Sequence, residues 1–130
     1  MKQRWNSGSC VAGLWLAALC WSAAAQPLGH PQPSRGLMPV PAQGKPLFEK
    51  HCASCHGTNL KGSGQGPPLL HPVYEPAHHG DAAFQMAVRY GSRAHHWRFG
   101  DMPPVAGVSA DDVAHITAYV RQKQRAVGIH

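Results

Sequence analysis

The chain has 130 residues, with twelve Lys and Arg against six Asp and Glu, ten histidines, four cysteines and a formal net charge of +6. A chain of this length supports one domain with little room for a large apolar core. Its positive charges are scattered and carry no nucleic-acid-binding motif, which argues against a nucleic-acid partner and leaves a mildly basic face suited to acidic protein partners.

Residues 1–25 have the form of a secretory signal peptide. Lys2 and Arg4 precede an apolar run from Cys10 to Trp21, and Ala23 and Ala25 are the small residues of a cleavage site before Gln26. The apolar stretch from Cys10 to Ala25 is short for a span of about 20 residues. Leu19 is too large to precede a lipidated Cys20. Cleavage would remove Cys10 and Cys20 and leave ten Lys and Arg against the six acids. The exported chain would then hold only Cys52 and Cys55, with no stable membrane insertion. Small exported domains usually lean on several disulfides. Here one at most is available, so a large apolar cofactor is the expected filling of the interior.

Residues 26–43 carry prolines at 27, 31, 33, 39 and 41, which predicts a flexible or extended spacer. The stretch GKPLFEKHCASCHG, from Gly44, predicts a short helix with Pro46 in its first turn, Leu47 and Phe48 as apolar anchors, and Gly57 as its stop. The following run to Gly80 is too rich in Gly and Pro for a long regular element and reads as a wrapping loop. DAAFQMAVRYG predicts a second helix, with Asp81 as N-cap, Phe84 and Val88 on one face and Gly91 at the end. After a second irregular loop, SADDVAHITAYVRQKQR predicts a third. Ser109 and Asp112 form its capping box, and Val113, Ile116 and Val120 its apolar stripe. Arg121, Lys123 and Arg125 lie where they complement the helix dipole. No strand pattern competes, so the expected fold is all-α, with a domain over residues 44–130.

The chemistry concentrates in HCASCH, residues His51 to His56. A structural zinc site needs four ligands, usually including a second close pair, and no further cysteine survives export. A thioredoxin-like dithiol needs a βαβ context, which is missing. A haem anchor fits the geometry. Cys52 and Cys55 are three apart and Cys52 and His56 four apart, so on a helix all three project from one side. C-x-x-C-H is the pattern of c-type haem attachment.

From Gly44 to about Arg125 the chain resembles the small monohaem class I cytochromes c of bacterial periplasms. GKPLFEKHCASCHG is similar to their N-terminal helix, including the aromatic Phe48 four residues before Cys52. GPPL, Gly66 to Leu69, is similar to the loop whose proline carbonyl holds the ligand histidine. VRYGS followed by DMPPV is similar to the approach to the methionine ligand, and SADDVAHITAYV to the C-terminal helix. The resemblance implies three to four helices packed round one covalent haem c, with the first and last crossing near Gly44, Phe48 and Tyr119. It implies a periplasmic, monomeric electron carrier rather than an enzyme, shuttling electrons between respiratory redox proteins. His56 and Met102 are the expected axial ligands of the iron. Met102 lies in a proline-stiffened loop, and its soft thioether suits haem iron; Met38 falls in the spacer and Met86 on a helix. Pro67, with Pro68 as the alternative, is expected to accept from the Nδ1–H of His56, and Trp97 to offer its indole N–H to a haem propionate or to pack against the porphyrin edge. Arg93 and Arg98 are propionate partners or solvated surface residues.

Paired histidines, His78–His79 and His95–His96, depart from the simplest pattern. They would form a copper or zinc site if the two loops met, and the protein would then handle a second metal. They would also offer a replacement for Met102, giving a lower potential; a haem protein that binds or senses ligands is a separate alternative, which requires an open or labile sixth position. Adjacent loop residues usually point apart, so the expectation is histidines that lie on the surface or support the haem ligands from behind, without a second metal.

Overall fold

The computed structural model describes residues 29–130. The expected signal peptide and its cleavage site therefore lie outside the described residues. Four α-helices form the domain: α1 Pro41–His51, α2 Ala53–His56, α3 Asp81–Tyr90 and α4 Ala110–Arg125. One turn of 3-10 helix, Pro72–Tyr74, interrupts the long loop between α2 and α3. Among the described residues there is no strand, only an isolated antiparallel bridge between Ser92 and Met102. The fold is all-α.

The first helix begins at Pro41, three residues before the Gly44 start read from the sequence. Val40 is extended, and Pro41 takes the first helical position, where its missing N–H costs nothing. Pro46 consequently sits inside α1 rather than in its first turn. The helix then breaks at Cys52, whose φ of −125° separates α1 from α2, so the haem-type motif does not lie on one continuous helix. A helical turn survives across the break, because His56 N donates to Cys52 O at 3.0 Å. Asp81 is likewise one residue inside its helix: Gly80 is the cap, and Asp81 is a first-turn acid. In α4 the capping box is present as read. Ser109 Oγ accepts from Asp112 N at 3.1 Å, and the Asp112 carboxylate accepts from Ser109 N at 3.0 Å.

The core forms where α1 crosses α4. Gly44 is buried at the crossing, and a Cβ there would lie 1.9 Å from the carbonyl oxygen of His115. One turn on, Phe48 meets Tyr119 with ring centroids 5.7 Å apart. Phe48, Leu60, Leu69, Ile116, Tyr119 and Val120 close this cluster. The later part of the proline-rich run is held to α4 rather than free: Ser34 N and Oγ donate to Asp111 at 2.6 and 2.8 Å, and Val40 N donates to His115 Nδ1 at 2.9 Å.

Arg121 does not serve as a solvated dipole partner. It is 6% exposed, with its guanidinium 5.0 Å from the Phe84 ring centroid. It donates to Asp81 Oδ1 at 2.9 Å, to Tyr74 O at 2.6 Å and to His79 O. Gln124, fully buried, donates to Leu69 O at 2.9 Å and to Tyr74 O at 3.2 Å. These two side chains, three apart on α4, satisfy the buried carbonyls of the loop from Leu69 to His79. They thereby fix the wall of the cavity described next.

Candidate cofactor site

One cavity of about 370 Å³ opens beside α4 and is lined by Phe48, Leu69, Phe84, Val113, Ile116 and Val120. All six site residues read from the sequence border it: Cys52, Cys55, His56, Pro67, Trp97 and Met102. They come from four separate parts of the chain, so the fold rather than sequence proximity brings them together.

His56 is held by the loop that follows it. Its Nδ1 lies 2.9 Å from Pro67 O. A carbonyl can only accept, so Nδ1 carries the hydrogen and Nε2 keeps its lone pair for another partner. Burial pushes the His56 pKa below the usual histidine range, and the bond to Pro67 acts in the opposite direction. The neutral, metal-ligating form is thereby favoured. The loop is pinned in turn: Gly62 N donates to His56 O at 2.8 Å, and Ser63 Oγ donates to Cys55 O at 2.6 Å.

Both cysteines are free thiols, half-buried at the cavity wall. Burial, followed by the neighbouring Cys55, pushes Cys52 up to about 11. A thiol held neutral in this way suits an apolar wall.

Met102 is fixed to the end of α3. Ser92 N donates to Met102 O at 2.9 Å, and Met102 N donates to Ser92 O at 2.8 Å. Gly91 ends the helix with a φ of +80°, and a Cβ there would lie 2.5 Å from Met102 O. Only glycine permits both the turn and the approach. Beyond the two prolines, Val105 N returns to Val88 O at 2.9 Å. Met38, in the N-terminal segment, is 81% exposed. Met86 also borders the cavity, from α3, but is 43% exposed.

At the other rim the Trp97 Nε1–H is buried without a hydrogen-bond partner. Such a donor costs free energy unless a ligand supplies an acceptor. Beside it stands Tyr74, whose pKa burial raises; the indole N–H lies near its hydroxyl but makes no hydrogen bond of normal geometry to it. Arg93 borders the cavity and Arg98 does not. Tyr74 was missed in the sequence, since nothing around it marks a site. Gln124 had a signal, because it continues the helical spacing of Val113, Ile116 and Val120.

The two histidine pairs meet, with His78, His95 and His96 exposed and His79 half-buried. The loop carrying His78 and His79 meets the loop carrying His95 and His96: His78 Nε2 lies 3.1 Å from His96 Nε2, and His79 Nε2 lies 3.4 Å from His95 Nε2. Lys45, Lys50 and Lys61, the lysines near the haem-binding segments, are exposed. Lys45 is paired with Glu49 at 2.5 Å.

An apolar slot with two thiols, a neutral imidazole and a thioether on its walls fits a large apolar metal-bearing ring. The unpaired indole N–H at one rim fits a carboxylate on that ring's edge. The family model for cytochrome c matches residues 41–124. The chain therefore belongs to the cytochrome c family, with the all-α fold of class I and covalently bound haem c with iron as its cofactor. Searches of curated proteins and of solved structures each returned no match. Haem-based electron transfer with redox protein partners is the family's activity. Among the described residues no helix is long and apolar enough to cross a membrane.

Proposed function

We propose that the protein is a periplasmic one-electron carrier rather than an enzyme, with haem c joined to Cys52 and Cys55 and its iron held by His56 and Met102. When bound, haem supplies a one-electron couple between ferrous and ferric iron. The observation that carries the ligand assignment is the His56–Pro67 hydrogen bond of 2.9 Å. It fixes the ring and tautomer, leaving Nε2 for the iron. Met102 is the preferred second ligand because backbone bonds hold it on both sides, through Ser92 before it and Val105 after it. Met86 is part-exposed on α3. Trp97 and Tyr74 would take the propionate carboxylate, and the apolar walls would exclude water from the iron.

With His56 and Met102 both holding the iron, no site would remain for a substrate, and the role would be transfer between partners. The signal-like residues 1–25, the spacer and the domain from Gly44 fit export to the periplasm and monomeric shuttling between respiratory proteins. Lys50 and Lys61 would meet acidic faces, in weak, fast encounters. The ligand assignment is tested by absorption spectroscopy of the haem-loaded protein. The sulfur-to-iron band near the red edge is expected in the ferric form, with no carbon monoxide adduct in the ferrous form. An open or labile sixth position, seen as ready carbon monoxide binding, would support a ligand sensor instead.

A further inference from the structure

Four of the ten histidines meet at one corner of the molecule, contributed by two loops that are 15 residues apart in the chain. Ring centroids are 4.7 Å apart for His78 and His79, 5.1 Å for His78 and His96, and 4.3 Å for His95 and His96. One ring nitrogen from each of His78, His79 and His96 lies within 4.8 Å of the others.

The hydrogen bonds show what such a cluster needs. His79 Nδ1 lies 2.7 Å from Val73 O, and His95 Nδ1 lies 2.7 Å from Arg93 O. Both acceptors are carbonyls, so each Nδ1 carries a hydrogen. In the neutral rings each Nε2 is then a bare lone pair. Those two lone pairs face each other across 3.4 Å, which is unfavourable unless a cation is shared between them. Two nitrogens each bound at about 2.0–2.1 Å to a tetrahedral ion lie about 3.4 Å apart. The observed spacings of 3.1 and 3.4 Å are of that size.

We propose that His78, His79 and His96 bind one late divalent transition-metal ion, Cu(II) or Zn(II), at the rim of the haem cavity; His95, 3.4 Å from His79 Nε2 but outside that three-nitrogen group, stands beside it. An all-imidazole donor set selects such ions over magnesium and calcium, which prefer oxygen. The surroundings hold the rings ready. Arg121 fixes His79 O from α4, and the 93–101 loop is closed by Ala94 N donating to Asp101 Oδ1 at 2.9 Å. Carbonyl acceptors on the non-ligating nitrogens orient metal-binding histidines in the same way. His79, His95 and His96 also border the cavity that holds Trp97 and Met102, so the ion sits beside the haem without using its axial positions. The site does not depend on the Met102 assignment.

The test uses the full haem-loaded protein, freed of loose metal with a chelator. After one equivalent of Cu(II) and desalting, elemental analysis should find one copper per iron. The copper electron paramagnetic resonance signal should show splitting from several nitrogens. Zn(II) should displace the copper, and Ca(II) should not. The double variant His78→Ala/His96→Ala should weaken binding by more than the roughly 10–100-fold that loss of an outer partner costs, with the haem spectrum unchanged. His130→Ala should leave binding intact. Copper washing out of the parent protein would overturn the site even if the double variant failed to mature. Copper kept by a folded double variant would overturn it as well.

Discussion

Gly44→Ala tests the packing on which the cofactor cavity rests. The new Cβ would lie 1.9 Å from His115 O, 2.5 Å from His115 C and 2.9 Å from Ile116 N. All three atoms are backbone of α4, so no side chain can swing aside. Restoring ordinary contact requires a displacement of about 1.5 Å between the helices. That movement would loosen the neighbouring Phe48–Tyr119 contact, where Phe48 is fully buried. Overpacking of a dense core costs about 1–3 kcal/mol or more. Against it stands the gain of about 1 kcal/mol for alanine over glycine in a helix. A backbone clash puts the cost at the upper end, so the expected net loss is about 2 kcal/mol. For a domain near 100 residues that lowers Tm by about 8–16 °C. The assay is thermal unfolding of the haem-loaded protein, followed by helical circular dichroism. Gly64→Ala is the control, because a Cβ there meets nothing within 4 Å; it should be neutral or slightly stabilising. A Gly44→Ala protein as stable as the parent would refute the crossing geometry.

Met102→Ala should abolish the sulfur-to-iron band, lower the reduction potential and let the ferrous form bind carbon monoxide, whereas Met86→Leu should change none of these. A parent-like spectrum in Met102→Ala would move the ligand assignment elsewhere. Arg121→Met keeps the packing volume but leaves the His79 carbonyl without its donor and Tyr74 O with only the longer bond from Gln124; it should cost about 3 kcal/mol, measured by denaturant unfolding. Ser109→Ala removes the α4 cap and should cost about 1 kcal/mol in the same assay. Asp112 is held below the usual carboxylate range chiefly by the Ser109 hydroxyl, then by its N–H, and Asp111 chiefly by the N–H of Ser34, then by its hydroxyl. Both pKa values are depressed by folding, so their contribution is present above the unfolded carboxylate value of about 3.9 and is lost as pH falls through the folded values. Asp112→Asn should flatten the acid limb of a Tm-against-pH curve.

The legible parts of the site were those in which chemistry constrains neighbouring residues. Attachment through two thioethers would require thiols at a short fixed spacing, and Cys52, Cys55 and His56 carry that spacing in the sequence. Ser109 and Asp112 announce the start of α4 because a cap is a local exchange of hydrogen bonds. Helix limits were less secure. The break at Cys52 and the start at Pro41 depend on how the chain packs after it turns, and propensity carries little of that. Arg121 was misread for the same reason. On sequence alone an arginine near a helix end complements the dipole, and only the fold shows Tyr74 O and His79 O waiting for it.

The histidine cluster shows why a site between two loops resists sequence reading. Each pair alone offers two rings that should diverge, and nothing in either loop names the other. Their meeting depends on two backbone frames. Arg121 and Gln124 hold the loop from Leu69 to His79 against α4, and the Ser92–Met102 bridge holds the other loop against the end of α3. These same frames set the two sides of the haem cavity, since Tyr74 lies on one and Met102 on the other. The cofactor wall and the imidazole cluster are therefore consequences of one loop arrangement. Loss of Arg121 should disturb both, whereas removal of the exposed rings of His78 and His96 should disturb only the cluster. That asymmetry separates a metal site built on the scaffold from one that is part of it.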